Sequence, residues 1–403
     1  MTPLFARQYA DENLKSRDRL VAITNETTVR WASRLHRFAY FPGVLSNIIV
    51  HNMEKFGTED GKAPIIVFAH KKLHDILTLT EFMLARPMEF FFKHTIPAQG
   101  GLFGGIYPYR DWVPSLFKGK LSFIGVAVAK KAGAFLNSRF RAFNCHPVYR
   151  RFRDLPSRKS YESRTFAGEK VTGLDYDSFL DFTRSETQNS IQEVEKDIIE
   201  RNYSLVIFPE GGYKHDGTIG KFNLMLVEMY TKSEHPLVFV SQSYDELCPD
   251  RLGRIDCLLN VCPVEETGSP SKRGDLLEAW AADLQKETII VAGHLIAVIL
   301  DMFRKAGEIL EAELKTKFYL LCSLLPDLKV PFDLRLLDSA FQEDRIRRFV
   351  RSHHRWFRRK KGKLVFRARA MYRFKESERT ISDLEWNRNH AIHILSNLEA
   401  ALA

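Results

Sequence analysis

Three short apolar runs, each ended abruptly by polar or turn-forming residues, constrain the fold of this chain more than any other feature. They are Ile65–Ala69, Leu205–Phe208 and Leu237–Val240. Runs of this length that are rich in β-branched residues are typical of strands buried on both faces. Helical patterns lie between them. The alternation predicts an α/β fold with a central mixed, mostly parallel sheet flanked by helices.

The segments between the first two runs alternate in the same way. Leu121 to Phe140 is predicted to be a helix, and Phe143 to Arg150 a strand that ends in a cation. Arg153 to Asp181 is polar and weakly patterned, which indicates a surface insertion. Ser185 is a candidate N-cap for a helix to Glu200, which leads directly into the second apolar run.

The chain divides into three parts. Residues 1–63 are expected to form a helical preamble, residues 64–265 the α/β core, and residues 266–403 a helical, basic extension packed on the core. In the preamble, Trp31 to Ile48 begins with aromatic and aliphatic residues on one helical face beside arginines. This pattern fits a helix on a membrane surface or one packed on its own domain.

The composition limits the class of protein. With 45% hydrophobic and 27% charged residues over 403 positions, a globular protein with a large core is expected. The five cysteines are scattered without a C-x-x-C pair, which argues against a disulfide framework and a thiolate zinc site. Residues 1–20 lack the apolar stretch of a secretory signal. The longest apolar run, Thr288–Phe303, is shorter than the roughly 20 residues that span a bilayer, so we expect an intracellular chain that crosses no membrane.

The first apolar run ends at a pair of residues with catalytic potential, His70 and Asp75. Helical spacing follows, so His70 is expected at the carboxyl end of a strand, where open α/β sheets bind their ligands. From the helix, the Asp75 carboxylate can bond to the imidazole Nδ1, fix its tautomer and leave Nε2 as a base for a hydroxyl. The motif contains no serine, so the substrate would supply the hydroxyl. The pattern is short, and a structural histidine remains open.

A second histidine at position 74 raises the alternative of a zinc site. In the metalloprotease pattern, a glutamate follows the first histidine and acts as the base. This chain has Lys71 at that position, and a cation there would repel a metal ion. We therefore expect no metal.

Four sequence blocks occur in an order that resembles the glycerolipid acyltransferases. They are His70-x-x-x-x-Asp75, a strand ending in Arg150, Phe208-Pro-Glu-Gly-Gly212, and Leu237-Val-Phe-Val-Ser-Gln-Ser-Tyr-Asp245. The Ser-Tyr-Asp ending, the helical region after Thr288 and the segment Leu384–His393 are most similar to glycerol-3-phosphate and dihydroxyacetone-phosphate acyltransferases. The resemblance covers the chain from Pro64 onwards.

The resemblance implies transfer of a fatty acyl group from a thioester to the hydroxyl of glycerol 3-phosphate, in phospholipid synthesis. Such a reaction needs a base for the hydroxyl, a cation for the acceptor phosphate and dipoles for the oxyanion. The catalytic pair would be His70 and Asp75. The residues expected to bind substrate are Arg150, Glu210, Gly211, Gly212, Lys214 and Lys221. No cofactor is implied, because acyl-coenzyme A or acyl carrier protein supplies the thioester as a substrate.

The sequence departs from the family at positions that bear on the acceptor. Residues 71–74 are Lys-Lys-Leu-His where relatives have more polar sets, and Tyr213 stands where an arginine usually follows Glu-Gly-Gly. Lys214 or Lys221 would then contact the phosphate as a point charge. The open alternatives are lysophosphatidic acid, dihydroxyacetone phosphate or another lysolipid as acceptor, and a lipid-binding relative without activity.

A net charge of +10 favours nucleic acid, anionic lipid or phosphorylated ligands as partners. Arg345 to Lys363 is especially basic and is interleaved with Phe349, Trp356 and Phe357. No nucleic-acid-binding motif accompanies this stretch, so with a lipid substrate we expect it to contact anionic headgroups. A solvated helix face is the alternative. The expected location is the cytoplasmic side of a membrane, as a peripheral protein.

Overall fold

A seven-stranded sheet organises the described part of the chain. The structure is a computed structural model that describes residues 45–56, 61–71, 75, 78–79, 82–83, 93–103, 106, 109, 117, 121–150, 155–163, 167–211, 216–264, 273–352, 357–366, 372–376 and 379–402. The strands are β1 Leu45–His51, β2 Ile65–Phe68, β3 His94–Gln99, β4 Cys145–Val148, β5 Ser204–Ile207, β6 Leu237–Tyr244 and β7 Ile255–Pro263. Their spatial order is β1-β7-β6-β2-β5-β3-β4.

The strand directions confirm the predicted mixed, mostly parallel sheet. Strands β6 and β7 are antiparallel, and the other neighbouring pairs are parallel. All three apolar runs are strands: β2, β5 and β6 lie side by side in the middle of the sheet and are buried at every position. Because β2, β5, β3 and β4 are parallel, their carboxyl ends meet at one edge, and this edge holds the site described below.

Helices cover both faces of the sheet. Those of the core are α1 Gly100–Phe103, α2 Ser122–Ala142, α3 Arg158–Glu162, α4 Gly168–Thr172, α5 Tyr176–Ile199 and α6 Leu224–Ser233. Those of the carboxyl-terminal part are α7 Arg273–Lys286, α8 Ala292–Phe303, α9 Glu311–Leu324, α10 Ser339–Ser352, α11 Asp383–Asn389 and α12 Leu395–Leu402. Alternate side chains of β2 enter separate cores, with Ile66 in the core of one face and Val67 in that of the other. None of the described helices is long and apolar enough to cross a bilayer.

The start of the described chain differs from the predicted helical preamble. Residues 45–51 form the edge strand β1, parallel to β7, so the helix predicted through Ile48 was wrong for this part. The side chains of Ser46 and Asn47 both donate to the Asp256 carboxylate of β7, at 2.6 and 2.8 Å. Pairing with β7 therefore outweighs the helical periodicity of the sequence. Residues 31–44 lie outside the described residues.

Helix α2 agrees with the prediction, whereas α5 begins earlier than expected. Asp175, not Ser185, caps α5, because its carboxylate accepts a hydrogen bond from the Ser178 N–H at 2.8 Å. The predicted polar insertion contains α3, α4 and the first turns of α5. Tyr161 of α3 is buried and stacks on Phe179 of α5, with ring centroids 4.8 Å apart. Two aromatic side chains thus give this segment its own small core.

The carboxyl-terminal part is helical but also contains strands. Helix α8 is buried from Ala292 to Leu300, and α9, α10 and α12 pack around it. Strands β8 Glu308–Leu310, β9 Phe357–Lys360 and β10 Lys363–Phe366 form a separate antiparallel sheet, and β11 Tyr372–Glu376 pairs with β12 Arg379–Ser382. The basic stretch Arg345–Lys363 therefore runs from α10 into the β9–β10 hairpin. The alternative of a single solvated helix face does not describe the hairpin part, and the expected contact with anionic headgroups stays a prediction.

Candidate active site

The pair His70 and Asp75 lies at the carboxyl edge of the sheet. His70 follows the last residue of β2 by two positions, and Asp75 is helical. The imidazole Nδ1 lies 2.8 Å from the Asp75 Oδ2 atom, and the side chains are 12% and 0% exposed. The ring of Phe208 packs beside the imidazole, with centroids 5.1 Å apart. With Nδ1 bound to a carboxylate, the tautomer is set so that Nε2 is the basic nitrogen of the ring.

Two further donors hold the buried Asp75 carboxylate. The Lys71 backbone N–H donates to Oδ2 at 2.5 Å, and the Tyr244 hydroxyl donates to Oδ1 at 2.6 Å. Burial and the charge of Asp75 raise the pKa of Tyr244 well above its ordinary value, so the hydroxyl keeps its proton. Both carboxylate oxygens are thus fixed before any substrate binds.

Strand β6 supplies the support for this pair. The Gln242 side-chain amide donates to the Ala69 carbonyl at 2.8 Å, and its Oε1 atom accepts from the Thr78 hydroxyl at 2.6 Å. The Tyr244 hydroxyl lies 3.0 Å from the same Oε1 atom. Gln242 and Tyr244 were not among the residues predicted to act in the site. Their polarity could have indicated a role, since they lie two residues apart in a strand that begins with an apolar run. Buried polar groups need hydrogen-bond partners.

Glu210 orients the backbone around His70. Its Oε1 atom accepts from the His70 N–H at 2.9 Å, and its Oε2 atom accepts from the Gly220 N–H at 2.7 Å. Burial raises the pKa of this carboxyl group, while the two N–H donors and the Lys71 ammonium oppose the shift. Both oxygens bind backbone N–H groups and the residue is 8% exposed, so Glu210 holds the backbone at His70 and Gly220 together. Its expected contact with substrate stays a prediction.

Lys71 is a buried cation behind the catalytic pair. The residue is 2% exposed, and its Nζ atom lies 3.5 Å from the Gly217 carbonyl oxygen. Burial lowers the pKa of this lysine to about 8, against the opposing effect of Glu210, Asp75 and Asp216. Lys71, which stands where the metalloprotease pattern has glutamate, is therefore a buried cation that interacts electrostatically with Glu210, Asp75 and Asp216.

The carboxyl-terminal helix α11 packs against the residues at 216 and 217, which follow Glu210 in the chain. The Asn389 side chain donates to the Asp216 carbonyl at 2.9 Å. Gly217 has a φ of +81°, and a Cβ atom there would lie 2.5 Å from the Trp386 carbonyl oxygen. The loop after Glu210 and helix α11 therefore fit each other too closely for a side chain at position 217.

Arg150 lies against the turn that follows β5. Gly211 has a φ of +61°, and a Cβ atom there would lie 2.9 Å from the Arg150 Nη1 atom. The backbone angle favours glycine, and a side chain there would displace the Arg150 guanidinium. The Gly211 N–H donates to the Phe208 carbonyl at 3.0 Å, so it is engaged within the turn. The expected role of Gly211 in substrate binding stays a prediction.

The remaining predicted residues are spread over and beyond this edge. Lys221 is exposed and follows Gly220, whose N–H binds Glu210. Gly212, Lys214 and His74 lie outside the described residues. Among the described residues, no group of three or more His, Cys, Asp or Glu side chains is arranged to hold a metal ion.

The arrangement combines a fixed imidazole with a cation at the same sheet edge. The backbone of His70 binds Glu210, and the neighbouring Gly211 touches Arg150, so the three blocks that follow β2, β4 and β5 are contiguous. An imidazole held in this way can take a proton at Nε2 from a hydroxyl or thiol. A guanidinium at the same edge can hold a phosphate or carboxylate.

Comparison with known proteins gives little beyond this geometry. No protein-family model matches the chain, and no curated protein matches it. Among solved structures, it is similar to the crystal structure of the 1-acyl-sn-glycerophosphate (LPA) acyltransferase, PlsC, from Thermotoga maritima. The sequence identity is 14%, the match covers 70% of this chain and 88% of that chain, and the TM-score is 0.35. A likeness at this level carries no argument about function.

Proposed function

We propose that the protein is an acyltransferase that moves a fatty acyl group from a thioester to the hydroxyl of glycerol 3-phosphate. The observation that carries the proposal is the bond of 2.8 Å between His70 Nδ1 and the buried Asp75 carboxylate at the carboxyl edge of the sheet. A base held by a carboxylate suits a reaction in which the substrate brings its own hydroxyl.

The reaction follows from the atoms at this edge. The substrate hydroxyl attacks the thioester carbonyl carbon as its proton passes to His70 Nε2. The tetrahedral intermediate then expels the thiolate, which receives the proton back from Nε2, so that an ester and a thiol leave. Asp75 stabilises the transient imidazolium, and Tyr244 and the Lys71 N–H keep the carboxylate in place. No cofactor is needed for this sequence of steps.

Arg150 supports a phosphorylated acceptor. Its guanidinium lies at the turn that also positions His70, so a phosphate bound there would bring a glycerol hydroxyl towards the imidazole. Glycerol 3-phosphate, dihydroxyacetone phosphate and lysophosphatidic acid all combine a phosphate with a free hydroxyl. We propose glycerol 3-phosphate as the acceptor, in agreement with the Ser-Tyr-Asp ending of the fourth sequence block, at residues 243–245.

An acceptor panel tests the proposal. The full-length protein is incubated with palmitoyl-coenzyme A or palmitoyl-acyl carrier protein and one of the three acceptors, and free thiol and lipid product are both measured. We expect thiol and ester in equal amounts, fastest with glycerol 3-phosphate. A faster reaction with another acceptor would correct the acceptor and leave the reaction class in place. Absence of ester with every acceptor would favour a lipid-binding relative without activity.

A further inference from the structure

Helix α2 presents apolar side chains to solvent along its length. Phe123 is 68% exposed, Phe135 47%, Val128 44%, and the preceding Leu121 41%. Exposed apolar residues are ordinary when they are scattered, but several on one helix form a surface that a partner can cover. The other face of α2 is buried through Gly125, Ala129 and Gly133. The helix is thus packed on one side and exposes these apolar side chains on the other.

The charge of this helix has one sign. Helix α2 contains Lys130, Lys131, Arg139 and Arg141 and no acidic residue. From Asp111 to Asp154, the intervening sequence has nine lysines and arginines and neither aspartate nor glutamate. Arg141 reaches Glu186 of α5 at 3.4 Å, and the Arg139 guanidinium lies 5.3 Å from the centre of the Phe135 ring. Cations among exposed aromatic residues complement an anionic, partly apolar surface.

The topology brings one end of α2 to the catalytic edge. The chain leaves β3 at the carboxyl edge of the sheet, and α2 ends at Ala142, just before the parallel strand β4 begins at Cys145. Helix α2 therefore runs antiparallel to both strands. Its first residues, including Phe123, lie towards the edge that holds His70 and Arg150.

We propose that the exposed face of α2 binds the surface of a bilayer that contains anionic lipid. Phe123, Val128 and Phe135 enter the interface, and the cations contact the headgroups. The binding is independent of the proposed function, whereas its consequence, delivery of acyl chains to the catalytic edge, rests on it. This surface differs from the basic stretch Arg345–Lys363 that the sequence favoured, in which Arg345 is buried and Arg359 is bound to Glu311.

Vesicle co-sedimentation without substrate tests the inference. We expect the protein to sediment with phosphatidylcholine vesicles that contain phosphatidylglycerol and not with pure phosphatidylcholine vesicles. The triple variant Lys130→Gln/Lys131→Gln/Arg139→Gln should bind at least about tenfold more weakly. The double variant Phe123→Ser/Phe135→Ser should lose about as much, because the apolar area that enters the interface is removed. Circular dichroism checks that both variants keep the fold.

Matched controls use the same substitutions on other exposed sites. Arg358→Gln/Lys360→Gln/Lys361→Gln removes three exposed charges from the β9–β10 hairpin, and Leu252→Ser/Leu334→Ser removes two exposed apolar side chains. Both controls should bind within about twofold of the wild type. Equal losses in controls and α2 variants would overturn the inference, because binding would then follow overall charge or hydrophobicity.

Two further outcomes separate this surface from its alternatives. If sedimentation velocity finds a dimer that the Phe123→Ser/Phe135→Ser variant breaks while vesicle binding is unchanged, the face is a contact between copies and the inference is wrong. Turnover of a short-chain, water-soluble acyl thioester is measured in parallel. Vesicle binding without turnover would contradict the proposed function alone, and turnover without vesicle binding would contradict the α2 surface alone.

Discussion

Replacement of Arg345 by methionine should destabilise the protein strongly. Arg345 is 3% exposed, and its guanidinium lies 2.8 Å from the Asp256 carboxylate and 3.3 Å from that of Asp245. It also lies 4.2 Å above the ring of Phe341. Because Asp245 follows Tyr244 directly, this cluster ties helix α10 to the strand that supports the catalytic pair.

The expected loss in the free energy of unfolding follows from the carboxylates that lose their cation. Methionine keeps most of the volume but removes the cation shared by two buried carboxylates, and loss of one partner of a buried ion pair costs about 3–5 kcal/mol. Asp256 retains Ser46, Asn47 and Arg335 as partners, and Asp245 retains the Gly293 N–H at 2.8 Å. We therefore expect the cost to arise mainly at Asp245.

The pH dependence identifies that source. Burial raises the pKa of Asp245 to about 6, against the effect of Arg345, so removal of the arginine raises it further. A raised folded-state pKa contributes stability that is present below the unfolded value of 3.8 and is lost as the pH rises through the folded value. In the variant the pKa of folded Asp245 is higher still, so the free energy of unfolding keeps falling to a higher pH than in the wild type. The destabilisation should therefore be larger at about pH 8 than at about pH 5.

Urea unfolding at both pH values measures the effect, with Arg358→Met as the control. Arg358 is exposed on β9, and its substitution should change the free energy of unfolding by less than about 0.5 kcal/mol. If Arg345→Met costs no more than the control, the cluster does not hold α10 to the core. If its cost is independent of pH, Asp245 is not the group left uncompensated.

Three further predictions concern the site itself. Tyr244→Phe removes a donor to the buried Asp75 carboxylate and should lower turnover about tenfold or more without loss of the fold, and unchanged turnover would contradict its positioning role. Lys71→Met removes a cation whose pKa is about 8 when folded and 10.5 when unfolded. The unfolded wild type binds more protons between these values, so its stability relative to the variant should rise from about pH 8 to about pH 10, and a constant difference in urea unfolding would refute this. Arg150→Ala should raise the KM for the phosphorylated acceptor about tenfold or more and leave that for the thioester nearly unchanged, whereas equal increases would exclude a phosphate contact.

The sequence predicted the centre of the fold well because local and global preferences agree there. β2 is apolar throughout, and β5 and β6 contain the apolar runs Leu205–Ile207 and Leu237–Val240. All three strands occupy the middle of the sheet, where both faces are covered. The edge was harder to predict. β1 is a strand because β7 offers it a parallel partner more than 200 residues away, as in the hydrogen bond from Ser46 to Asp256 across 210 positions. No local pattern contains that information.

In the site too, the local contact was predictable from the sequence and the long-range contacts were not. The bond between His70 and Asp75 spans five residues, so a local turn from a strand into a helix is enough to predict it. The partners that fix it come from distant segments: Tyr244 is 169 residues from Asp75, and Glu210 is 140 residues from His70. Arg345 shows most clearly what the sequence cannot predict. It belongs to a basic stretch that reads as a charged surface, and the two carboxylates that surround it in the fold come from distant positions in the sequence.

Turnover of His70→Ala is the most direct test of the central claim. The full-length variant and the wild type are assayed with palmitoyl thioester and glycerol 3-phosphate, and urea unfolding confirms that both are folded. Loss of a general base should lower the rate of ester formation by about 10²–10⁴-fold while the free energy of unfolding changes little, because the imidazole is at the edge of the core. If His70→Ala retains more than about a tenth of the wild-type rate, His70 is not the base and the proposed mechanism is wrong.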